Sequence, residues 1–175
     1  MTEDERRRST FLRLTDEYGP AIRRLTVAYA RRDQVASADL YQDVALAIWK
    51  AIPGYRAESS ERTWIYRIAH NVASTFRYRS AKRARRELAV EKSPEPTDRN
   101  DPESKAIERQ QRERLSDALR ELPTVDFQIA SMHLDGLANE EIAAVAGLKK
   151  AAVATRLTRI RQRLAARLSD AEVRP

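Results

Sequence analysis

Two stretches of the chain combine residue types that could hold a polyanion. Residues 62–86 carry eight Arg or Lys and no acid, and residues 149–167 carry seven and no acid. Together they sum to +15, although the whole 175-residue chain is only +7 (33 basic, 26 acidic), so everything else is net acidic. Cations grouped on two separate helices suit phosphate neutralisation on a nucleic acid; two plain solvated faces have the same composition. In the first stretch Trp64, Tyr66, Phe76 and Tyr78 interleave with arginines. Rings stack bases and arginines track phosphates, a combination suited to single-stranded DNA. The other reading puts Trp64 and Phe76 in the core and leaves Tyr66 and Tyr78 half-exposed. In the second stretch a helix would present Lys150, Thr155, Arg156, Thr158, Arg159 and Arg163 outward. Such a helix fits the major groove, where Arg holds guanine edges and Thr contacts either base type.

Other chemistry finds few candidates. There is no Cys, which removes disulfides and thiol chemistry, and the two His, His70 and His133, are far apart. No nucleophile–base pair, metal cluster or glycine-rich phosphate loop can be assigned, so neither an enzyme nor a cofactor is expected. The N-terminus lacks an apolar signal core, and no run approaches the roughly 18 apolar residues of a membrane helix. A cytoplasmic protein without membrane insertion is expected.

The elements that must position these residues read as helices. Ala, Leu, Arg and Glu dominate, β-branched and aromatic residues are sparse, and only 4 Gly occur. Phe11, Leu14, Tyr18, Ile22, Leu25 and Tyr29 recur at helical spacing, with Gly19-Pro20 predicting a kink or a break into two helices. Leu40, Val44, Ile48 and Ile52 define a helix over 36–52 that Pro53-Gly54 stops. After a polar loop from Tyr55 to Glu61, a long helix over 62–86 turns Ile65, Ile68, Val72 and Phe76 inward. Residues 87–103 hold Pro94, Pro96 and Pro102 among six acids and read as a flexible acidic linker. Helices resume at 104–121 and 124–134. A short helix at 139–146, a tight turn at Gly147 and a long helix over 149–168 then make a helix-turn-helix. Ile142, Val145, Leu148, Val153 and Leu157 would form its core. The architecture is all-α: two small helical domains, 1–86 and 104–175, joined by the linker 87–103.

Asp39-Leu40-x-Gln42-Asp43, Tyr55-Arg56-x-Glu58-Ser59, Arg62-Thr63-Trp64-Ile65-Tyr66-Arg67-Ile68-Ala69-x-Asn71 and Leu122-Pro123 occur in this order. Asp135-Gly136-Leu137-x-x-Glu140-Glu141-Ile142-Ala143 and Arg156-Leu157-x-Arg159 follow. As an ordered set over residues 10–168, they resemble extracytoplasmic-function RNA polymerase sigma factors of the sigma-70 family. The resemblance implies that the first domain is region 2. There, Asp39, Leu40, Gln42 and Asp43 would bind the clamp helices of the largest subunit of core RNA polymerase. Tyr55, Arg56, Glu58, Ser59, Trp64, Arg67, Asn71 and Thr75 would read the −10 element, in part as single strands. The last domain would be region 4, with Lys150, Thr155, Arg156, Arg159 and Arg163 on the duplex −35 element. An anti-sigma factor is a common partner in such proteins, although no residue here identifies one.

The chain departs from the family pattern at several places. The recognition helix opens Ala151-Ala152-Val153-Ala154-Thr155-Arg156, with Ala154 at a usual basic contact. Ala138 replaces the common Ser before the short helix, costing about 1 kcal/mol unless Asn139 caps it. Ala57 replaces a Gly in the loop, and His70 replaces an Arg and reads as a tolerated substitution. Two other functions fit parts of the pattern: a self-sufficient helix-turn-helix regulator, which leaves 39–76 unexplained, and a protein that sequesters another regulator.

Overall fold

The computed structural model describes residues 2–31, 33–87, 110 and 114–172, and among these all regular structure is helical. Helix α1 (Glu3–Tyr29) starts in a reciprocal cap: Thr2 Oγ1 accepts from the Glu5 N–H at 3.2 Å, and Glu5 Oε2 accepts from the Thr2 N–H at 2.7 Å. Of the two outcomes expected from Gly19-Pro20, the break into two helices does not occur: α1 runs through Pro20 as one element. A mid-helix proline costs about 3 kcal/mol. Here Pro20 faces solvent, while Leu14, Ile22 and Leu25 are buried on either side of it and hold one helix against the core.

Helix α2 (Gln34–Ala51) is capped by Asp33, whose carboxylate accepts from the Ala36 N–H at 3.0 Å. It buries Leu40, Val44 and Ile48 against α1 and ends in a 3-10 turn at Ile52–Gly54. Helix α3 (Glu61–Glu87) follows the loop, with Ser60 Oγ accepting from the Thr63 N–H. Its most deeply buried positions are Ile65, Tyr66, Ala69, His70 and Ala73, while Ile68, Val72 and Phe76 are only partly buried. The inward stripe is broader than the periodicity predicts because α3 has neighbours on two sides.

The second neighbour is the C-terminal bundle: helical residues 114–120, then α4 (Thr124–Leu134), α5 (Asn139–Ala146) and α6 (Lys150–Glu172). Gly147 ends α5 in the left-handed conformation (φ 67°), and the Leu148 N–H donates to the Ala143 carbonyl at 2.9 Å. The helix-turn-helix core is as expected at Ile142, Val145, Val153 and Leu157, with Leu148 half-buried. Asn139 does not take the capping role. Ala138 occupies the cap, and the Glu141 carboxylate alone supports it, accepting from the Ala138 N–H at 2.8 Å.

The two bundles share one continuous apolar core. Tyr29 of α1 meets Phe127 of α4 edge to face, centroids 4.8 Å apart, and the Arg77 guanidinium lies over the Phe127 ring, 4.4 Å from its centroid. Arg77 also donates to the carbonyls of Arg120 (2.9 Å) and Leu122 (2.6 Å). The acidic stretch after Glu87 lies outside the described residues, as does half of the helix expected at 104–121.

Candidate nucleic-acid interface

Three exposed faces carry the residues singled out by the sequence. On α2, Asp39, Gln42 and Asp43 are exposed, and Val35 and Leu46 extend the same stripe at helical spacing. Leu40 has to be removed from this surface. It is completely buried, packing in the core while its neighbours in the motif face out. Val35 and Leu46 were not anticipated; they are 73% and 51% exposed and add apolar surface to this charged face.

The second face combines the loop with α3. Tyr55 and Trp64 rings pack at a tilt of 38° with centroids 4.6 Å apart, and the Tyr55 hydroxyl donates to the Ser59 carbonyl at 2.9 Å. This bond pins the loop across its width and leaves Arg56 and Glu58 exposed at its tip. Ala57 keeps a left-handed backbone (φ 56°), so the loop retains the turn that a glycine would make, with a methyl group in a strained conformation. Trp64 is half-buried, with one ring face occupied by Tyr55.

Arg67, Asn71, Thr75 and Tyr78 continue along the exposed side of α3. The Thr75 hydroxyl donates to the Asn71 carbonyl at 3.0 Å, which partly engages it with its own helix. The two tyrosines of α3 differ. Tyr78 is 69% exposed and available to a base, whereas Tyr66 is buried at the junction with the C-terminal bundle and does not belong to this face. Glu61, at the start of α3, accepts two bonds from Arg13 of α1 at 2.6 and 2.8 Å, and that guanidinium holds its carboxyl below the usual range.

The third face lies on α6, where Thr155, Thr158, Arg159, Gln162 and Arg163 are exposed together with Ala151 and Ala154. Lys150 is exposed and ion-paired with Glu140. Arg156 sits differently: its guanidinium pairs with Asp126 at 2.7 Å, tying α6 to α4, and is only half available to a ligand. Gln162 was not anticipated, since its type alone does not distinguish it from any solvated glutamine.

Between the second and third faces the bundles meet through polar groups. Asp135, in the turn after α4, lies 3.5 Å from the Arg24 guanidinium and 3.5 Å from the Tyr66 hydroxyl, which donates to it. Arg62 donates to the Asp135 carbonyl at 3.3 Å and lies 3.8 Å from the Glu141 carboxylate. Arg67 donates to the Ala144 carbonyl at 3.0 Å. Burial raises the Asp135 carboxyl, with Arg24 and Arg62 opposing, and burial together with Asp135 raises the Tyr66 phenol. Behind them His70 is wholly enclosed. Its Nδ1 shares a 2.9 Å hydrogen bond with the Tyr29 hydroxyl, and its Nε2 has no partner among the described residues. Burial lowers its pKa to about 3. A neutral histidine can fill a site that a charged arginine could not enter without a partner.

Comparisons with known proteins cover both bundles. The family profile described as Sigma-70 region 2 matches residues 14–84, and that described as Sigma-70, region 4 matches residues 112–164. The chain is 24% identical over 163 residues to the ECF RNA polymerase sigma-E factor of Haemophilus influenzae, covering 89% of this chain and 85% of that one. Its fold is similar to that of CnrH, solved in complex with the cytosolic domain of CnrY (TM-score 0.67, 25% identity, 93% of this chain and 90% of that chain). It is also similar to the sigma factor RpoE of Bartonella quintana, solved with the anti-sigma factor NepR (TM-score 0.65, 20% identity, 91% of this chain and 97% of that chain). No described helix is long and apolar enough to cross a membrane.

Proposed function

The chain belongs to the sigma-70 family, in the two-region form of its extracytoplasmic-function members, and from this we propose that it docks on core RNA polymerase, recognises −10 and −35 promoter elements and assists melting at the start site. The N-terminal bundle is region 2 and the C-terminal bundle region 4. One observation carries the proposal: an exposed aromatic–arginine face on α3 and an exposed Thr–Arg face on a helix-turn-helix occur on one chain beside an acidic–apolar stripe on α2.

Each face has a task its chemistry fits. Asp39, Gln42 and Asp43, framed by Val35 and Leu46, would bind the polymerase clamp helices. The Tyr55–Ser59 loop, Trp64, Asn71, Thr75 and Tyr78 would hold unstacked bases of the −10 element, with Arg56 and Arg67 on phosphates. Thr155, Arg159 and Arg163 would enter the −35 major groove, with Lys150 toward the backbone. At Ala151 and Ala154 the start of α6 offers base edges only methyl contacts.

Energetics require the larger partner. Opening DNA costs about 1.4 kcal/mol per base-pair step, so a bubble on the order of ten pairs costs roughly 14 kcal/mol. Stacking a few bases recovers about 1–3 kcal/mol each. A region 2 of this size cannot hold the bubble without core polymerase. An anti-sigma partner is proposed on the same footing, because CnrH and RpoE were each solved with a regulatory chain bound.

Run-off transcription with core polymerase over a promoter library tests the proposal. Initiation from a discrete set of promoters is expected. Core that gains no promoter from the protein, or tight gel-shift binding to promoter duplex without core, would overturn it in favour of a stand-alone regulator.

A further inference from the structure

Arg156, Arg159 and Arg163 follow one another at helical spacing and share one side of α6. Their surroundings differ. Arg159 and Arg163 are exposed and have no side-chain partner among the described residues. Arg156 stands at the edge of the stripe, beside the buried Val153, Leu157 and Ile160, where α6 packs on α4. Its Nη1 donates to Asp126 Oδ1 at 2.7 Å, the length of a charge-assisted bond. Asp126 is a firm support. It lies in the first turn of α4, where the positive helix end favours an acid, its side chain is only 18% exposed, and the next residue, Phe127, is in the core.

The shape of the guanidinium gives this bond a consequence. The group is planar and holds five N–H donors in fixed directions. Asp126 takes Nη1. Nε and Nη2 have no partner among the described residues, and 43% of the side chain is open to solvent. Two such donors side by side form the fork that fits O6 and N7 of a guanine. Held at its third nitrogen, the group points this fork one way and loses less rotamer freedom on docking than an unheld arginine. A carboxylate at this place suits base reading better than phosphate binding. It offsets the charge that a phosphate attracts, whereas a base edge is read by the direction of its hydrogen bonds.

We propose that Asp126 is a positioning residue for −35 recognition: it orients Arg156 so that Nε and Nη2 address one guanine, and the Asp126–Arg156 pair thereby sets the preference at one −35 base pair. Both residues belong to the C-terminal bundle, so the pair stays intact wherever that bundle docks. The inference rests on the sigma-factor reading.

The test uses core polymerase with the full-length chain on a promoter drawn from the run-off library, with each −35 base pair replaced in turn and affinity measured for every template. The wild type is expected to lose about 5- to 150-fold at one G·C pair, the range of a single bidentate contact, and R156A no longer to distinguish that pair. D126A should lose most of the preference at the same pair, keep the preferences at all others, and add nothing to R156A. A deaza analogue of that guanine without the N7 acceptor should weaken the wild type and leave D126A unaffected. D126S, too short to reach the guanidinium, stands in should D126A not fold. A folded variant that keeps the wild-type preference, loses affinity evenly over all pairs, or further weakens R156A overturns the proposal, as does a wild type with no guanine preference that depends on Arg156. A wild-type chain that initiates from no promoter refutes the sigma-factor reading, and the inference falls with it. Normal initiation with D126A reading the same bases as the wild type refutes the inference alone.

Discussion

His70 sits wholly inside the protein, bonded through Nδ1 to the Tyr29 hydroxyl, and burial keeps its imidazole neutral down to about pH 3. In the unfolded chain the same ring takes a proton near pH 6.5. Below that value the unfolded state binds the extra proton and the folded state does not, so stability falls as pH falls, from about 6.5 toward 3. Above 6.5 both states are neutral and the contribution is flat. Between pH 7.5 and pH 5 the loss is about 1.5 units at 1.36 kcal/mol each, or ~2 kcal/mol. For a chain of this size that corresponds to a Tm lower by about 4–8 °C. His70→Asn keeps a polar group where Nδ1 meets Tyr29 and removes the titration. Urea denaturation at pH 7.5, 6 and 5 should show the wild type losing ~2 kcal/mol more than the variant, even if the variant is less stable at pH 7.5. Asp135, with its carboxyl raised by burial, works in the opposite sense, but it is common to both proteins and drops out of the difference. Equal losses in the two proteins would refute the argument that the enclosed ring stays neutral.

Three further outcomes follow from the geometry. Ala57→Gly should stabilise the protein by ~0.5–1 kcal/mol in urea denaturation, because relief of a left-handed alanine (about 1–2 kcal/mol) exceeds the extra chain entropy of glycine. Arg159→Ala should cost about 1–3 kcal/mol in −35 promoter affinity with unchanged thermal stability, whereas Arg156→Ala should also lower stability by ~0.5–1 kcal/mol through loss of the Asp126 pair, read by parallel binding and melting curves. Asp43→Arg should abolish capture by core polymerase without altering the melting curve, while Leu40→Ala, which hollows the core, should destabilise by ~2–5 kcal/mol.

Local patterns made much of the fold legible. The apolar spacing of Ile142, Val145, Val153 and Leu157 around Gly147 identified the helix-turn-helix, because each contact there is between near neighbours in sequence. Pro20 does not divide α1, because Leu14, Ile22 and Leu25 bind both halves of the helix to the same core, which backbone propensity alone does not weigh. Leu40 was misplaced because membership of a motif does not say which way a side chain points. The contact of Tyr66 with Asp135, and the reach of Arg24 to the same residue, depend on a partner bundle more than sixty residues away and leave no periodic trace.

The edge-to-face seat of Tyr29 on Phe127 makes the halves of this molecule mutually dependent lodgers. Each half, produced alone, would present an oily ring and the aliphatic floor around it to water. Two polypeptides cut within the acidic stretch and mixed should therefore find each other and re-form the assembly without a peptide bond between them, and intact chains should melt as one unit.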